Sequence, residues 1–357
     1  MALLEVRDLT VSFDTEDGIV HAVDGVSYSL DAGDALGIVG ESGSGKSVSS
    51  LTVMGLTRAG NATITGSVLF DGKELLHATD QELQKIRGGE IAMIFQDPLS
   101  SLHPFYKIGD QLVEARQLHS GDSTRQARAR ALEMLNLVGI PEAAQRIDSY
   151  PHEFSGGMRQ RAMIAMALIN DPKLLIADEP TTALDVTVQA QILELIDSLQ
   201  QELNTAIVMI THDLGVVAEV AERVAVMYAG KIVEHGSVEA VFAQPRHPYT
   251  WGLLKSIPRL DSPRDQELVP VPGRPPSMIN RPSGCSFHPR CPFEHAPCPV
   301  EVPALLNDPL ATDDQHLVAC HLTPETKSEI WTALDSGATP AEARATVGLS
   351  APEAVEQ

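Results

Sequence analysis

Gly40-Glu-Ser-Gly-Ser-Gly45-Lys46-Ser47 follows directly on the apolar run Ala35-Leu-Gly-Ile-Val39 and leads into residues 48–56, a stretch of helical character. The pattern is GxxxxGK[ST], set between a buried strand and a helix, which is the context it requires. Glycines let backbone N–H groups converge on phosphate oxygens, and the helix start adds the positive end of its dipole. Gly40, Glu41, Ser42, Gly43, Ser44 and Gly45 then form a cradle. Lys46 bridges the β and γ phosphates of a nucleotide, and the Ser47 hydroxyl ligates Mg2+. A glycine-rich turn that happens to include a lysine is the competing reading, and the two correct flanks count against it.

Downstream, strand-like runs at residues 174–177 and 206–210 flank a helical stretch at 186–203, an order that implies a parallel sheet with right-handed crossovers. Asp178 stands at the carboxyl end of the first run, where it can hold the Mg2+ hydration shell. Glu179 beside it can orient or deprotonate an attacking water. Two acids capping the next helix would look the same locally. Upstream, residues 3–13 and 20–30 read as strands around the polar turn 14–18, with further strands at 66–69 and 91–95. Between 96 and 170 the period becomes helical, with helices expected at 112–118, 124–138 and 158–169 and breaks at Gly121, Pro141 and Pro151. Residues 223–228 and 231–234 read as a hairpin about Ala229-Gly230. The expected fold is α/β: a P-loop NTPase core of RecA-like type, residues 1–95 and 171–255, with an inserted helical subdomain at 96–170.

The chain has 357 residues, 26 Lys+Arg against 48 Asp+Glu, and a net charge of −22, which opposes binding to nucleic-acid phosphates or anionic lipid through overall charge. No apolar run approaches the ~18 residues of a membrane span. The start, with Glu5 and Asp8, lacks the basic and apolar character of a secretion signal, so a cytosolic protein is expected. Residues 256–325 are Pro-rich and poor in core-forming segments. Residues 326–357 read as a loosely ordered Ala/Glu/Pro-rich tail.

A further motif narrows the class. Phe154-Ser155-Gly156-Gly157-Met158-Arg159-Gln160-Arg161 resembles the signature of the ATP-binding-cassette (ABC) ATPases, and lies between the phosphate loop and the Asp178-Glu179 strand as in that family. Gln96 resembles the Q-loop glutamine, Ala183-Leu184-Asp185 the D-loop, and His212 the switch histidine. These motifs, in order, identify the chain as a member of the ABC ATPases. The resemblance implies two subunits head to tail with two ATP molecules between them, each touching one phosphate loop and the other subunit's Ser155, Gly156 and Gly157. It implies that Phe13 stacks on adenine, worth about 1–3 kcal/mol; a core Phe at a strand end is the bland alternative. It further implies that Gln96 reaches Mg2+ and the attacking water, that His212 touches the γ-phosphate, that Asp185 lies at the nucleotide interface, and that Glu179 is the catalytic carboxylate. Met158 stands where the signature commonly has Gln, and His103 where close relatives often have Asn.

Residues 95–98 (Phe-Gln-Asp-Pro), the signature and His247-Pro-Tyr-Thr250 are similar to the dipeptide/oligopeptide/nickel importer branch over roughly residues 1–325. That branch implies two membrane permeases, an extracytoplasmic binding protein and a second, similar ATPase, with the subunit held at the cytoplasmic face of the membrane. All four cysteines fall in Cys285-x5-Cys291-x6-Cys298-x21-Cys320. Four thiolates suit zinc or an iron–sulfur cluster, and the spacing leaves the two open. The resemblance implies a [4Fe–4S] cluster, with zinc second and free thiols third, acting as a staple for a core-poor extension. An importer of nickel or glutathione, a soluble ABC ATPase of translation or DNA repair, and an iron–sulfur assembly ATPase are the other readings. The single cassette without a coiled-coil insertion weighs against the soluble ATPases. The absence of NKxD weighs against a small GTPase.

Overall fold

The computed structural model describes residues 2–96, 101–182, 184–256, 271–313 and 315–349. Asp97 and Pro98, Ala183 of the expected D-loop, residues 257–270 of the Pro-rich stretch and the last eight residues lie outside the described residues.

The N-terminal third opens with an antiparallel hairpin of β1 (Leu4–Thr15) and β2 (Gly18–Leu30), joined at the polar turn where Thr15 faces Gly18. β3 (Ala35–Val39) is buried at every position, and β4 (Ala62–Phe70) and β5 (Lys73–Glu74) complete a four-stranded sheet in the order β2-β1-β4-β5. β6 (Ile91–Ile94), β7 (Leu174–Asp178) and β8 (Ala206–Thr211) run parallel to β3, as does β9 (Arg223–Tyr228), while β10 (Lys231–Ser237) turns back against β9. Two short strands, β11 (Leu306–Asn307) and β12 (Leu317–Val318), extend this second sheet to the order β11-β12-β10-β9-β3-β8-β7-β6. The parallel strands read as unbroken Val/Ile/Leu runs because helices or the four-stranded antiparallel sheet cover their faces.

Alternation along these strands divides the interior. In β7 and β8, Leu174, Ile176, Val208 and Ile210 face the antiparallel sheet, whereas Leu175, Ala177, Ile207 and Met209 face the inserted helices. Those helices are Ile108–Gln117, Thr124–Leu137 and Gly156–Leu168, and Ala127, Ala131, Met134 and Leu135 supply the buried stripe of the second.

A third core forms where the Pro-rich extension meets β9. Tyr249 and Trp251, on the helix Pro248–Lys255, pack with Phe287 and Phe293 of the extension. Of the segment expected to be a loosely ordered tail, residues 326–349 are instead built into this core. Helices Pro324–Asp335 and Pro340–Thr346 are capped by Thr323 and Thr339 with proline in the first turn, and Ile330, Trp331, Leu334 and Ala343 are buried in the third core. Apolar residues at helical spacing outweigh the Ala/Pro-rich composition there.

Candidate functional site

The loop 40–47 connects the buried end of β3 to the helix Lys46–Val53. Two glycines are required by close approach as well as by conformation. Gly40 (φ +155°) and Gly45 (φ +100°) would each bring a Cβ within 2.2 Å of a backbone carbonyl oxygen, that of Met227 and that of Ala22 respectively. Ser42 and Gly43 are exposed, and Ser44 is buried with its hydroxyl lacking a hydrogen-bond partner among the described residues. A buried orphan hydroxyl in a glycine-rich loop is a polar group awaiting a ligand.

The Lys46 ammonium is buried and donates to the carbonyls of Gly40 (2.6 Å) and Glu41 (3.0 Å). Burial pulls its pKa below the usual lysine value, against the opposing pull of Glu179, Asp178 and Glu41. The Ser47 hydroxyl donates to Asp178 Oδ1 at 3.1 Å, so the hydroxyl and carboxylate expected to share a Mg2+ lie side by side. Burial raises the Asp178 pKa, with Glu179 pushing the same way and the Ser47 bond and Lys46 opposing.

Glu179 occupies the left-handed region (φ +47°) immediately after β7, its N–H donating to Ile210 O at 2.9 Å. Three elements converge on its carboxylate. Gln96 Nε2 donates to Oε2 at 3.1 Å, Thr182 Oγ1 donates to Oε2 at 2.8 Å, and His212 Nδ1 lies 3.3 Å from Oε1. Partial burial pushes the Glu179 pKa up, but bonds from Thr182 and His212 and the Lys46 charge outweigh it, so the carboxyl lies below its ordinary value. The group is therefore an ionised acceptor at neutral pH, with exposed Gln96 and His212 beside it.

The other expected residues lie elsewhere in the single subunit. Ser155 caps the helix Gly156–Leu168, its hydroxyl accepting from Met158 N at 3.3 Å, with Gly156 and Gly157 as the first helical residues. Asp185 caps the helix Val186–Leu203 through Val188 N (3.0 Å). Phe13 is half-buried, pairs across β1 with Val20 and Ala62, and packs on the second core.

The four cysteines are free and line one small cavity with His247, Phe287, His288, Phe293, His295 and His321. Burial raises all four thiol pKa values, that of Cys320 to about 12. Backbone N–H groups of Phe287, Phe293, His295 and Leu322 point at Cys285, Cys291, Cys298 and Cys320 respectively. The metal centre expected at these residues is not itself shown. Among the described residues no three His, Cys, Asp or Glu side chains close on a position for a metal ion.

Sequence reasoning missed three participants. Thr182 holds the Glu179 carboxylate, Tyr249 accepts the Glu41 N–H at 2.9 Å through its hydroxyl, and Arg290 grips the Glu41 side chain. A threonine three residues beyond an acid was a readable signal for the first. The other two partnerships span 208 and 249 residues and leave no local trace.

Residues 23–182 match the family described as ABC transporter, and residues 233–298 match the oligopeptide/dipeptide transporter C-terminal region. The oligopeptide transport ATP-binding protein OppD of Haemophilus influenzae is 55% identical over 298 residues, 84% of this chain and 92% of the relative. The dipeptide transport ATP-binding protein DppD of Bacillus subtilis is 52% identical over 321 residues, 90% and 94% of the two chains. Among solved structures, the dimeric ATP-binding cassette MJ0796 in a post-hydrolysis state with ADP and Pi superposes with a TM-score of 0.59 at 28% identity, covering 66% of this chain and 98% of the other. CbiO1 of Clostridium perfringens, part of an ABC transporter complex, superposes with a TM-score of 0.58 at 28% identity, covering 68% and 91%. The chain is thus an ATPase, and it belongs to the ABC transporter ATP-binding proteins, in the branch of the oligopeptide and dipeptide transport subunits.

Proposed function

We propose that this ATPase powers import of dipeptides or oligopeptides, as one half of a head-to-tail pair of ATPase subunits seated on two membrane permeases supplied by an extracytoplasmic binding protein. The observation that carries the hydrolytic part is the convergence of Gln96, Thr182 and His212 on the one ionised carboxylate of Glu179, next to the loop that holds Lys46. The peptide part is supported by the names of the relatives and by the match of residues 233–298 to the oligopeptide/dipeptide C-terminal region.

In this reading the loop amides and Lys46 bind the β and γ phosphates, and Phe13 stacks on the base. Ser47, Asp178 and Gln96 would hold Mg2+, which when bound would neutralise charge on the phosphate oxygens. Glu179 accepts a proton from the attacking water as it adds to the γ-phosphorus, while the bond to the ADP oxygen breaks. Thr182 and His212 fix the carboxylate, and His212 also positions the γ-phosphate. Ser155, Gly156 and Gly157 of the opposing subunit, with Asp185 beside them, complete the site, since a helix start is an anion site. Loss of the shared γ-phosphate opens the pair and resets the permeases.

For the cysteine cavity we favour a [4Fe–4S] cluster on Cys285, Cys291, Cys298 and Cys320. Four free thiols lining one small cavity, each met by a backbone N–H, supply the four-cysteine ligand set that such a cluster takes. When bound, such a cluster supplies a covalent staple for the extension. Iron, acid-labile sulfide and zinc measured on anaerobically purified protein test this. About four irons and four sulfides per chain are expected, and one zinc without iron would replace the cluster reading. For transport, proteoliposomes holding both permeases, both ATPases and the binding protein should accumulate a labelled tripeptide only with ATP. No uptake of any peptide length, with ATP still hydrolysed, would remove the peptide assignment.

A further inference from the structure

Arg290 is the last residue of the 3-10 turn His288–Arg290 and immediately precedes Cys291. Its guanidinium, with only 5% of the side chain exposed, takes both carboxylate oxygens of Glu41 at 2.6 and 2.9 Å. Its remaining donors reach Pro272 O (2.7 Å), Val271 O (3.3 Å) and the Tyr228 hydroxyl (3.3 Å), and it lies 5.7 Å from the Tyr228 ring centroid. A fork–fork pair of this kind fixes direction as well as distance. A second link meets the same residue. The Tyr249 hydroxyl accepts the Glu41 N–H, and the Tyr249 ring stands 5.4 Å from Phe287, which lines the cysteine cavity. Glu41 is therefore held at its carboxylate by Arg290 of the four-cysteine module and at its amide by Tyr249, whose ring packs on that module. Its carbonyl in turn accepts from Lys46.

The charge balance gives this arrangement a consequence. Glu41 places a negative charge within a loop built for a triphosphate, and Arg290 cancels it in a half-buried setting where screening is weak. We infer that Arg290 is a positioning residue for nucleotide binding, and that its pair with Glu41 couples the conformation of the four-cysteine module to nucleotide affinity. The inference rests on the ATPase reading of the loop and is independent of which group the cysteines hold. Coupling between two sites is reciprocal, so bound nucleotide must also stabilise the module.

The test uses the full chain and MgADP. Calorimetric dissociation constants for wild type, Arg290→Ala, Glu41→Gln and the double variant form a cycle. Arg290→Ala should weaken MgADP about tenfold, and Arg290→Lys should recover part of that loss, because an ammonium neutralises the charge without forking. On the Glu41→Gln background, Arg290→Ala should add less than twofold. An affinity within twofold of wild type in Arg290→Ala, or an undiminished tenfold loss on the Glu41→Gln background, overturns the pairing. If Arg290→Ala does not fold, Arg290→Lys and Glu41→Gln carry the comparison, and wild-type affinity in both overturns it. Hydrogen exchange of residues 285–298 supplies a readout that a purely structural arginine would not move. MgADP should slow it in wild type and leave it unchanged in the double variant, whereas no slowing in wild type overturns the coupling. A wild-type chain that binds no MgADP would instead remove the ATPase reading, so the two failures are distinguishable.

Discussion

At the scale of single residues, the site is a set of groups whose charges depend on one another. Glu179 is kept ionised by Thr182, His212 and Lys46. Replacing Glu179 by Gln preserves shape but removes the acceptor for a proton, so turnover should fall by about 10²–10⁴. ATP affinity, measured calorimetrically on the same preparation, should stay within a few-fold; near-normal turnover would strip Glu179 of its role. Lys46→Ala acts earlier. It deletes the ammonium held in the loop by two carbonyl hydrogen bonds, and MgATP binding itself should weaken by tenfold or more in equilibrium dialysis.

At the scale of elements, two segments outside the nucleotide site carry measurable stability. His235 on β10 is buried beside Arg223, Asp313 and His316, and burial, then the Arg223 charge, lower its pKa from 6.5 to about 4. A group depressed in the folded state contributes its full stability above pH 6.5 and loses it as the pH falls toward 4, because the unfolded chain binds the proton first. The loss approaches ~3 kcal/mol over that window. Chemical denaturation from pH 8 to pH 4 should show it, and His235→Gln should flatten that part of the curve. Ile330, fully buried in the helix Pro324–Asp335, anchors the C-terminal segment to the third core. Ile330→Ala should cost about 2–5 kcal/mol, read as a shift in denaturation midpoint.

The same elements mark what the amino-acid string discloses. β3 and the helix Val186–Leu203 have the bounds expected from their patterns, because a fully apolar run beside a glycine turn and a long amphipathic period are local signals. Gln96 and His212 beside Glu179 were legible as types in order, whereas Thr182 was missed. The C-terminal helices were missed although Thr323-Pro and Thr339-Pro-Ala-Glu342 are start signals for helices; overall composition concealed them. The Arg290–Glu41 pair was illegible for a different reason, since nothing local to a basic residue beside Cys291 names an acid 249 positions earlier.

At the scale of the whole molecule, no helix among the described residues is long and apolar enough to cross a membrane. In the proposed assembly the chain reaches the bilayer through its permease subunits. In cell fractionation the chain should follow the membrane when the permeases are co-expressed and leave it when they are deleted; membrane retention without them would contradict the subunit reading. The sharing of β3 among all three cores has another outcome. Ala35 enters the first, Leu36 and Ile38 the second, and Val39 the third, whose other walls include Trp251, Phe293 and Trp331. Val39 emerges from the ribosome long before Trp331, a wait of roughly 15–60 s at ordinary translation speeds. For that interval one face of the growing chain has its apolar side uncovered, which makes the nascent protein a natural client for chaperones. The third core closes only once the helices Pro324–Asp335 and Pro340–Thr346 have been made.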